Sequence, residues 1–144
     1  MTIREMTADD IDRITVLDKQ AFSKPWSAQT FAEELQKDYS YYLTAETENE
    51  IIAYAGIWCI YEVAELIRIA VSPSFRRQHV ADALMEVILN KAAECGCEKM
   101  MLEVRESNCS AYELYLKHGF EQTSVRRGYY DGTENAVIME HTII

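Results

Sequence analysis

A chain of 144 residues with a formal net charge of −10 is long enough for one packed core and lacks the clustered Lys and Arg of a nucleic-acid-binding surface. Apolar residues make up 49% and charged residues 26%, an ordinary balance for a globular protein. No run approaches the roughly 18 apolar residues of a membrane span, and the N-terminus has no basic-then-apolar leader, so a cytoplasmic protein with no membrane partner is expected.

Thr2–Glu5 reads as a short strand, and Thr7 to Asp10 opens a helix whose apolar stripe is Ile11, Ile14, Leu17 and Ala21. Phe22–Trp26 is a loop. Ser27 caps a second helix, predicted to run to about Lys37 with Phe31 and Leu35 on one face. Two β-rich runs, Tyr41–Glu46 and Ile51–Tyr61, flank the polar turn Thr47–Glu50 and predict a hairpin. Leu66–Val71 is a further strand, ended by Ser72 and Pro73. From about Arg77 the spacing turns helical, with Val80, Ala83, Leu84, Val87, Ile88 and Ala92 on one stripe and Gly96 as the stop. Lys99–Arg105 is a strand, Asn108–His118 a helix closed by Gly119, and strands follow near Glu121–Arg127 and Ala136–Ile143. The order βααβββαβαββ predicts an α/β fold, a mixed sheet with helices on both faces. Five Gly, two Pro and no repeat argue against a linker, so residues 1–144 are expected to form one domain.

Four cysteines, Cys59, Cys95, Cys97 and Cys109, show no Cys-x-x-Cys spacing, and the histidines are scattered at His79, His118 and His141. No metal site is expected, and the thiols read as small apolar fillers. The acidic balance favours a cationic acceptor such as an amine or a basic peptide, although solubility alone explains it equally well.

One junction carries the signal of an anion site. A strand ending at Val71 feeds a turn, Arg76 and Arg77, and the N-terminus of an amphipathic helix. Unpaired N–H groups and the helix dipole at such a start favour a phosphate, and the two arginines add charge.

These residues also resemble a known pattern. Val71, Pro73, Phe75, Arg76 and Arg77, leading into Ala81 and Leu84, are similar to motif A of the GNAT acetyltransferase superfamily, Arg/Gln-x-x-Gly-x-Gly/Ala. Leu102 to Asn108, Ala111, Leu114, Tyr115, Gly119 and Phe120 resemble the RimI-type branch, as do Phe22–Ser27 and Arg126–Tyr130. The resemblance spans nearly the whole chain and implies a GNAT fold, mostly antiparallel, that uses acetyl-CoA and no metal. It implies N-acetylation of a ribosomal protein's N-terminal alanine, with no direct nucleic-acid contact. A monomer is expected.

By that resemblance Ile69, Ala70 and Val71 pair their backbone with the pantetheine arm. Arg76, Arg77, Gln78, His79, Val80, Ala81 and Asp82 surround the phosphates, and Asn108 touches the arm further along. His79 stands where the motif has its first glycine, which predicts weakened or reshaped binding through side-chain bulk.

Amine acetylation needs an unprotonated nucleophile, a polarised carbonyl and a proton for the departing thiolate. Glu103, amid apolar neighbours in its strand, is the candidate base, and Tyr115 the candidate acid. A backbone N–H near Val71 is the candidate polariser. Tyr115 also reads as the C3 residue of a helix stop, packing on Phe120. Trp26, Tyr129 and Tyr130 resemble walls of an acceptor groove, and Cys109 suggests a covalent route that the family does not use. Two other readings stay open: a GNAT acting on a small amine (polyamine or amino sugar), and an acetyl-CoA-binding module without turnover.

Overall fold

The computed structural model describes residues Met1–Ile144. Its elements run β1 (Thr2–Glu5), α1 (Ile11–Ala21), α2 (Ala28–Leu35), β2 (Ser40–Thr47), β3 (Glu50–Ile60), β4 (Val63–Val71), α3 (Val80–Glu94), β5 (Lys99–Arg105), α4 (Cys109–Lys117), β6 (Glu121–Tyr130) and β7 (Glu134–Thr142). The order is the βααβββαβαββ expected. The seven strands follow the sheet order β1-β2-β3-β4-β5-β7-β6. β1 to β3 pair antiparallel, as do β5, β7 and β6. β4 and β5 pair parallel, and only over Val63–Glu65 with Lys99–Met101.

The chain forms two compact units: residues 1–58 with 67–88, and residues 59–66 with 89–144. In the first, α1 and α2 press Ile14, Leu17 and Phe31 onto Tyr42, Tyr54 and Ala70. Full burial of a side chain such as Phe31 stabilises by roughly 1.5–3 kcal/mol. Every residue from Ile51 to Ile57 is buried, the signature of a strand covered on both faces. In the second unit, alternate residues Met100, Leu102 and Val104 of β5 are buried, leaving Met101, Glu103 and Arg105 half-buried on the opposite face. β6, at the sheet's edge, is mostly exposed and slips register against β7 at two places.

Boundaries differ from expectation for local reasons. A short 3-10 turn, Ala8–Asp10, precedes α1, and the Asp10 carboxylate accepts from the Thr7 N–H at 2.8 Å. α2 stops at Leu35 rather than Lys37, because the Gln36 and Lys37 N–H groups fold back onto the Glu33 and Glu34 carbonyls at 3.2 Å each. α3 starts at Val80 rather than Arg77, because Arg77 (φ 61°) and His79 (φ 63°) are both left-handed. Tyr61 (φ 56°) belongs to the turn after β3. The stop of α4 is as expected. Gly119 N–H donates to the Leu116 carbonyl at 3.1 Å and Phe120 N–H to the Tyr115 carbonyl at 3.0 Å, with the Tyr115 and Phe120 rings 6.0 Å apart.

Two buried carboxylates tie the first unit together. Asp18 of α1 is fully buried and receives the Arg68 guanidinium (Nη2 to Oδ2 2.8 Å, Nε to Oδ1 3.2 Å), the Trp26 N–H at 2.8 Å and the Tyr54 hydroxyl. Glu34 of α2 takes the Tyr42 hydroxyl at 2.6 Å, the Trp58 indole N–H at 2.9 Å and the Lys37 ammonium. Burial alone would raise the Glu34 carboxyl, but these donors together hold it below its ordinary range. A paired buried carboxylate is costly to neutralise by halves: Asp18→Asn leaves Arg68, with only 13% of its side chain exposed, unpaired. We expect a loss of about 3 kcal/mol and a melting temperature lower by roughly 6–12 °C, read by calorimetry.

Candidate active site

The expected site residues fall in both units. In the first, β4 brings Ile69, Ala70 and Val71 to the turn before α3. Pairing with β5 ends at Glu65, so the backbone of Leu66–Val71 carries no β5 partner along that edge. This fits the expected role of Ile69–Val71 as a backbone edge for an extended ligand. The turn itself is a 3-10 segment, Pro73–Phe75. Arg76 Nε donates to the Val71 carbonyl at 3.4 Å and Gln78 Nε2 to the Ser74 carbonyl at 3.2 Å, closing a compact loop. The first intrahelical donor of α3 is Ala83, whose N–H reaches the His79 carbonyl at 3.1 Å. Val80 and Ala81 therefore present N–H groups of the first turn, the chemistry a phosphate needs.

Two left-handed non-glycine residues in this loop, Arg77 and His79 on either side of Gln78, are costly, roughly 1–2 kcal/mol each. Both lie where the motif places its phosphate contacts. His79 has a reason to be a glycine that its sequence position alone does not reveal: its φ of 63° favours a residue with no Cβ. Its imidazole is 80% exposed and turned to Asp82, Nδ1 to Oδ2 3.0 Å. The variant His79→Gly removes both bulk and strain. Its acetyl-CoA affinity should rise two- to tenfold, about 0.4–1.4 kcal/mol, with kcat nearly unchanged; titration calorimetry of both forms reads this directly.

The second unit holds Glu103, Asn108, Tyr115, Tyr129 and Tyr130. Glu103 corrects one expectation: its apolar neighbours Leu102 and Val104 point to the other face, as strand alternation requires. Its own carboxylate, 17% exposed, is ion-paired with Arg126 of β6 (Oε1 to Nη1 3.0 Å). Tyr115 is buried, and that burial, with Tyr130 adding a smaller effect, pushes its hydroxyl up to about 12, so it keeps its proton throughout the working range. Tyr130 is also raised, by burial first and by the Glu103 carboxylate second. Tyr130 thus lies within electrostatic reach of both the candidate base and the candidate acid. Its ring carries the Arg105 guanidinium at 4.0 Å and meets Tyr129 edge-on at 5.1 Å, while Arg126 sits 5.4 Å from Tyr129.

Asn108 is the N-cap of α4, its Oδ1 accepting from the Ala111 N–H at 3.2 Å, a structural task that accompanies any ligand contact. Trp26, in the first unit, packs edge-on against Phe31 at 5.3 Å and under Arg68 at 4.5 Å, so much of its surface serves the core. Cys109 is exposed at the start of α4. Cys97 is buried with its thiol toward the Tyr61 carbonyl at 3.6 Å, and burial raises Cys59, with Cys95 and Cys97 beside it. His141 bonds the Gly119 carbonyl at 3.0 Å through Nδ1 and stacks near Phe120. A solvent-open cleft of about 440 Å³ is lined by Glu106, Ser107, Thr133, Glu134 and Asn135, none of them an expected site residue. Glu134 there is held low by the Ser107 hydroxyl and N–H and by Arg105.

Sequence reasoning missed Asp18, Glu65, Arg68 and Arg126 as individual residues. An acid on the apolar helical stripe, four residues after Ile14 and seven after Ile11, and charges inside an apolar strand were the available signals for the first three.

The first unit thus holds a strand-to-helix turn with an anion-ready first helical turn, and the second holds a carboxylate paired with an arginine and a tyrosine that keeps its proton. The sequence model of the acetyltransferase (GNAT) family matches residues 11–120, and the chain belongs to that family. GNAT acetyltransferases draw their acetyl group from acetyl-CoA. The chain is similar to the ribosomal protein bS18-alanine N-acetyltransferase of Escherichia coli (strain K12), 33% identical over 96% of this chain and 95% of the relative. It is also similar to the enzyme of that name from Haemophilus ducreyi, 35% identical over 95% of this chain and 97% of the relative. The crystal structure of the E. coli ribosomal-protein-S18-alanine N-acetyltransferase superposes with a TM-score of 0.91 at 32% identity, covering 99% of this chain and 93% of that one.

The helix stop after Tyr115 separates its two tasks. Tyr115→Phe keeps the ring on Phe120 and removes only the hydroxyl, so the melting temperature should stay within about 3 °C, while kcat falls at least tenfold, roughly 1.4 kcal/mol of barrier. A collapse of stability with specific activity of the folded fraction preserved would assign Tyr115 to structure alone.

Proposed function

We propose that this chain is a cytoplasmic, acetyl-CoA-dependent N-α-acetyltransferase whose acceptor is the N-terminal alanine of a small-subunit ribosomal protein. The observation that carries the reading is the nearly end-to-end likeness, at about one-third identity, to enzymes named for that reaction. The structure adds residues of the right chemistry. Acetyl-CoA, when bound, supplies the thioester acyl group and the thiolate leaving group. The first turn of α3, with Arg76 and Arg77, offers a seat for its phosphates, and the β4 edge from Ile69 to Val71 offers backbone for its arm.

An α-amino group has an ordinary pKa of about 7.7–8.0 and reaches the site mostly as ammonium at pH 7. Glu103 accepts its proton, directly or through a water, and the freed nitrogen lone pair attacks the acetyl carbon in a ternary complex. A backbone N–H near Val71 polarises the carbonyl. Tyr115, still protonated, gives its proton to the departing sulfur. Arg126 orients the Glu103 carboxylate at 3.0 Å, and Trp26, Tyr129 and Tyr130 contact the acceptor.

Mass spectrometry of a peptide panel with acetyl-CoA tests the reading. Peptides with N-terminal Ala, Ser and Met, an N-blocked peptide bearing lysine, and a polyamine separate the acceptor classes; acetylation confined to the polyamine sinks the ribosomal assignment. Glu103→Gln should lower kcat/KM on the alanine peptide by roughly 10²-fold at pH 7, with the deficit shrinking toward pH 9 as the amine loses its proton unaided.

A further inference from the structure

The face of the sheet that bears Glu103 bears a second carboxylate that neither the reading above nor the family resemblance uses. Glu65 sits on β4 opposite Met101 of β5, in parallel register. Paired residues of neighbouring strands point to the same side, and residues two apart along a strand do so too. Glu65 and Glu103 therefore share one face at diagonal positions, on a spacing of about 7–8 Å between backbones that long side chains close. Glu65 is the last β4 residue that pairs with β5, so it stands where the two strands cease to hydrogen-bond.

The charges around it are few and unequal. Glu103 of β5 and Arg126 of β6 are the charged groups that face Glu65, and Arg126 is already bound to Glu103 at 3.0 Å. Two carboxylates against one guanidinium leave one negative charge without a cation. Glu65 is half-buried, and burial first and the Glu103 charge second raise its carboxyl above the ordinary range, with Arg126 opposing. A partly desolvated carboxylate next to a like charge is an unfavourable resident unless something cationic arrives. A single positive charge, small enough to sit between two carboxylates and rich in N–H donors, completes the set. A protonated α-amino group has that charge and three such donors.

We propose that Glu65 is an acceptor-binding residue: its carboxylate receives the acceptor's protonated amino group and holds it beside Glu103. This rests on the reading of Glu103 as the base. The work is divided between two acids. Glu65 binds the ammonium form and takes no proton. Glu103 removes the proton, and the resulting amine, no longer attracted by Glu65, is free to move onto the acetyl carbon. The acceptor class that follows is a primary amine that arrives charged, and the N-acetylated product, an uncharged amide, loses its attraction to Glu65 as soon as it forms.

The test measures acceptor binding and turnover separately. Calorimetry with coenzyme A present gives the Kd of an N-terminal alanine peptide for wild type and Glu65→Gln at pH 6.5 and pH 9. Glu65→Gln removes a half-buried charge while keeping the shape, so it should fold with an unchanged or higher melting temperature. Its Kd should exceed that of wild type about five- to tenfold at pH 6.5 and by less than about twofold at pH 9, where most of an amine with a pKa near 8 is neutral. Steady-state rates at pH 7 should show the same loss in KM with kcat within about twofold, unlike Glu103→Gln. The N-acetylated peptide, which has no ammonium, should bind both forms alike. Glu65→Asp should recover part of the pH 6.5 affinity, because it restores the charge. Equal peptide affinity of the two forms at pH 6.5 overturns the inference, and so does a loss of the same size at pH 9 or with the acetylated peptide. A fall in kcat matching that of Glu103→Gln overturns the division of labour. Failure of wild type to acetylate the alanine peptide counts instead against the proposed function, since the binding comparison does not depend on turnover.

Discussion

The Asp18 carboxylate organises the first unit. It has no exposure, and an ionised carboxylate without water must find its hydrogen bonds in protein. Arg68 supplies two, Tyr54 a third and the Trp26 backbone a fourth, so one group joins α1, β3, β4 and the loop after α1. Arg68 in turn lies over the Phe22 ring at 3.8 Å and the Trp26 ring at 4.5 Å, and its Nη2 reaches the Lys24 carbonyl at 3.3 Å. The Phe22–Trp26 segment has no regular structure of its own; it is held by a charge it does not contain. An apolar substitute at position 18 could pack, but it could not direct Trp26. Electrostatic placement of this kind is one use that offsets the desolvation cost of a buried pair.

The turn before α3 keeps a strained backbone because hydrogen bonds elsewhere in the loop hold it. Arg77 and His79 adopt a backbone that most residues avoid, and the rest of the loop holds them there through the Arg76 and Gln78 side-chain bonds to Val71 and Ser74 carbonyls. A helix that began at Arg77 would commit the Val80 and Ala81 N–H groups to bonds within its own first turns. Starting at Val80, it leaves them at the mouth of the loop.

Much of this was legible from residue patterns. Helical spacing in Val80–Ala92 and the Gly119–Phe120 stop needed no tertiary information, because both are governed by contacts within a few residues. The order of elements along the chain was legible for the same reason, whereas the sheet order, with β7 between β5 and β6, depends on pairing that no local pattern fixes. Glu103 and Tyr115 were singled out by resemblance, but the surroundings of Glu103 were only partly foreseen: its apolar chain neighbours face away, and in space it meets the Arg126 guanidinium as well as the apolar Ile138 opposite it on β7. Arg126 is distant in sequence and reaches Glu103 only through the pairing of β5 with β7 and of β7 with β6. Glu65 and Arg68 were hidden likewise, since the value of a charge inside an apolar strand depends on register, which no local pattern fixes. The left-handed φ at His79 was hidden by the histidine itself: a glycine there would have announced it.

β6 has a consequence for the molecule outside any reaction. It closes one border of the sheet, ten residues long and almost wholly in water, with an outer row of backbone amides and carbonyls able to recruit a stranger's strand. Its two slips of register against β7 interrupt the regular repeat such recruitment needs, and Arg126 and Arg127, followed by Gly128 at φ 61°, break the run with charge and a bend. The border that carries Arg126, Tyr129 and Tyr130 is thereby also the one made unfit to nucleate a fibril.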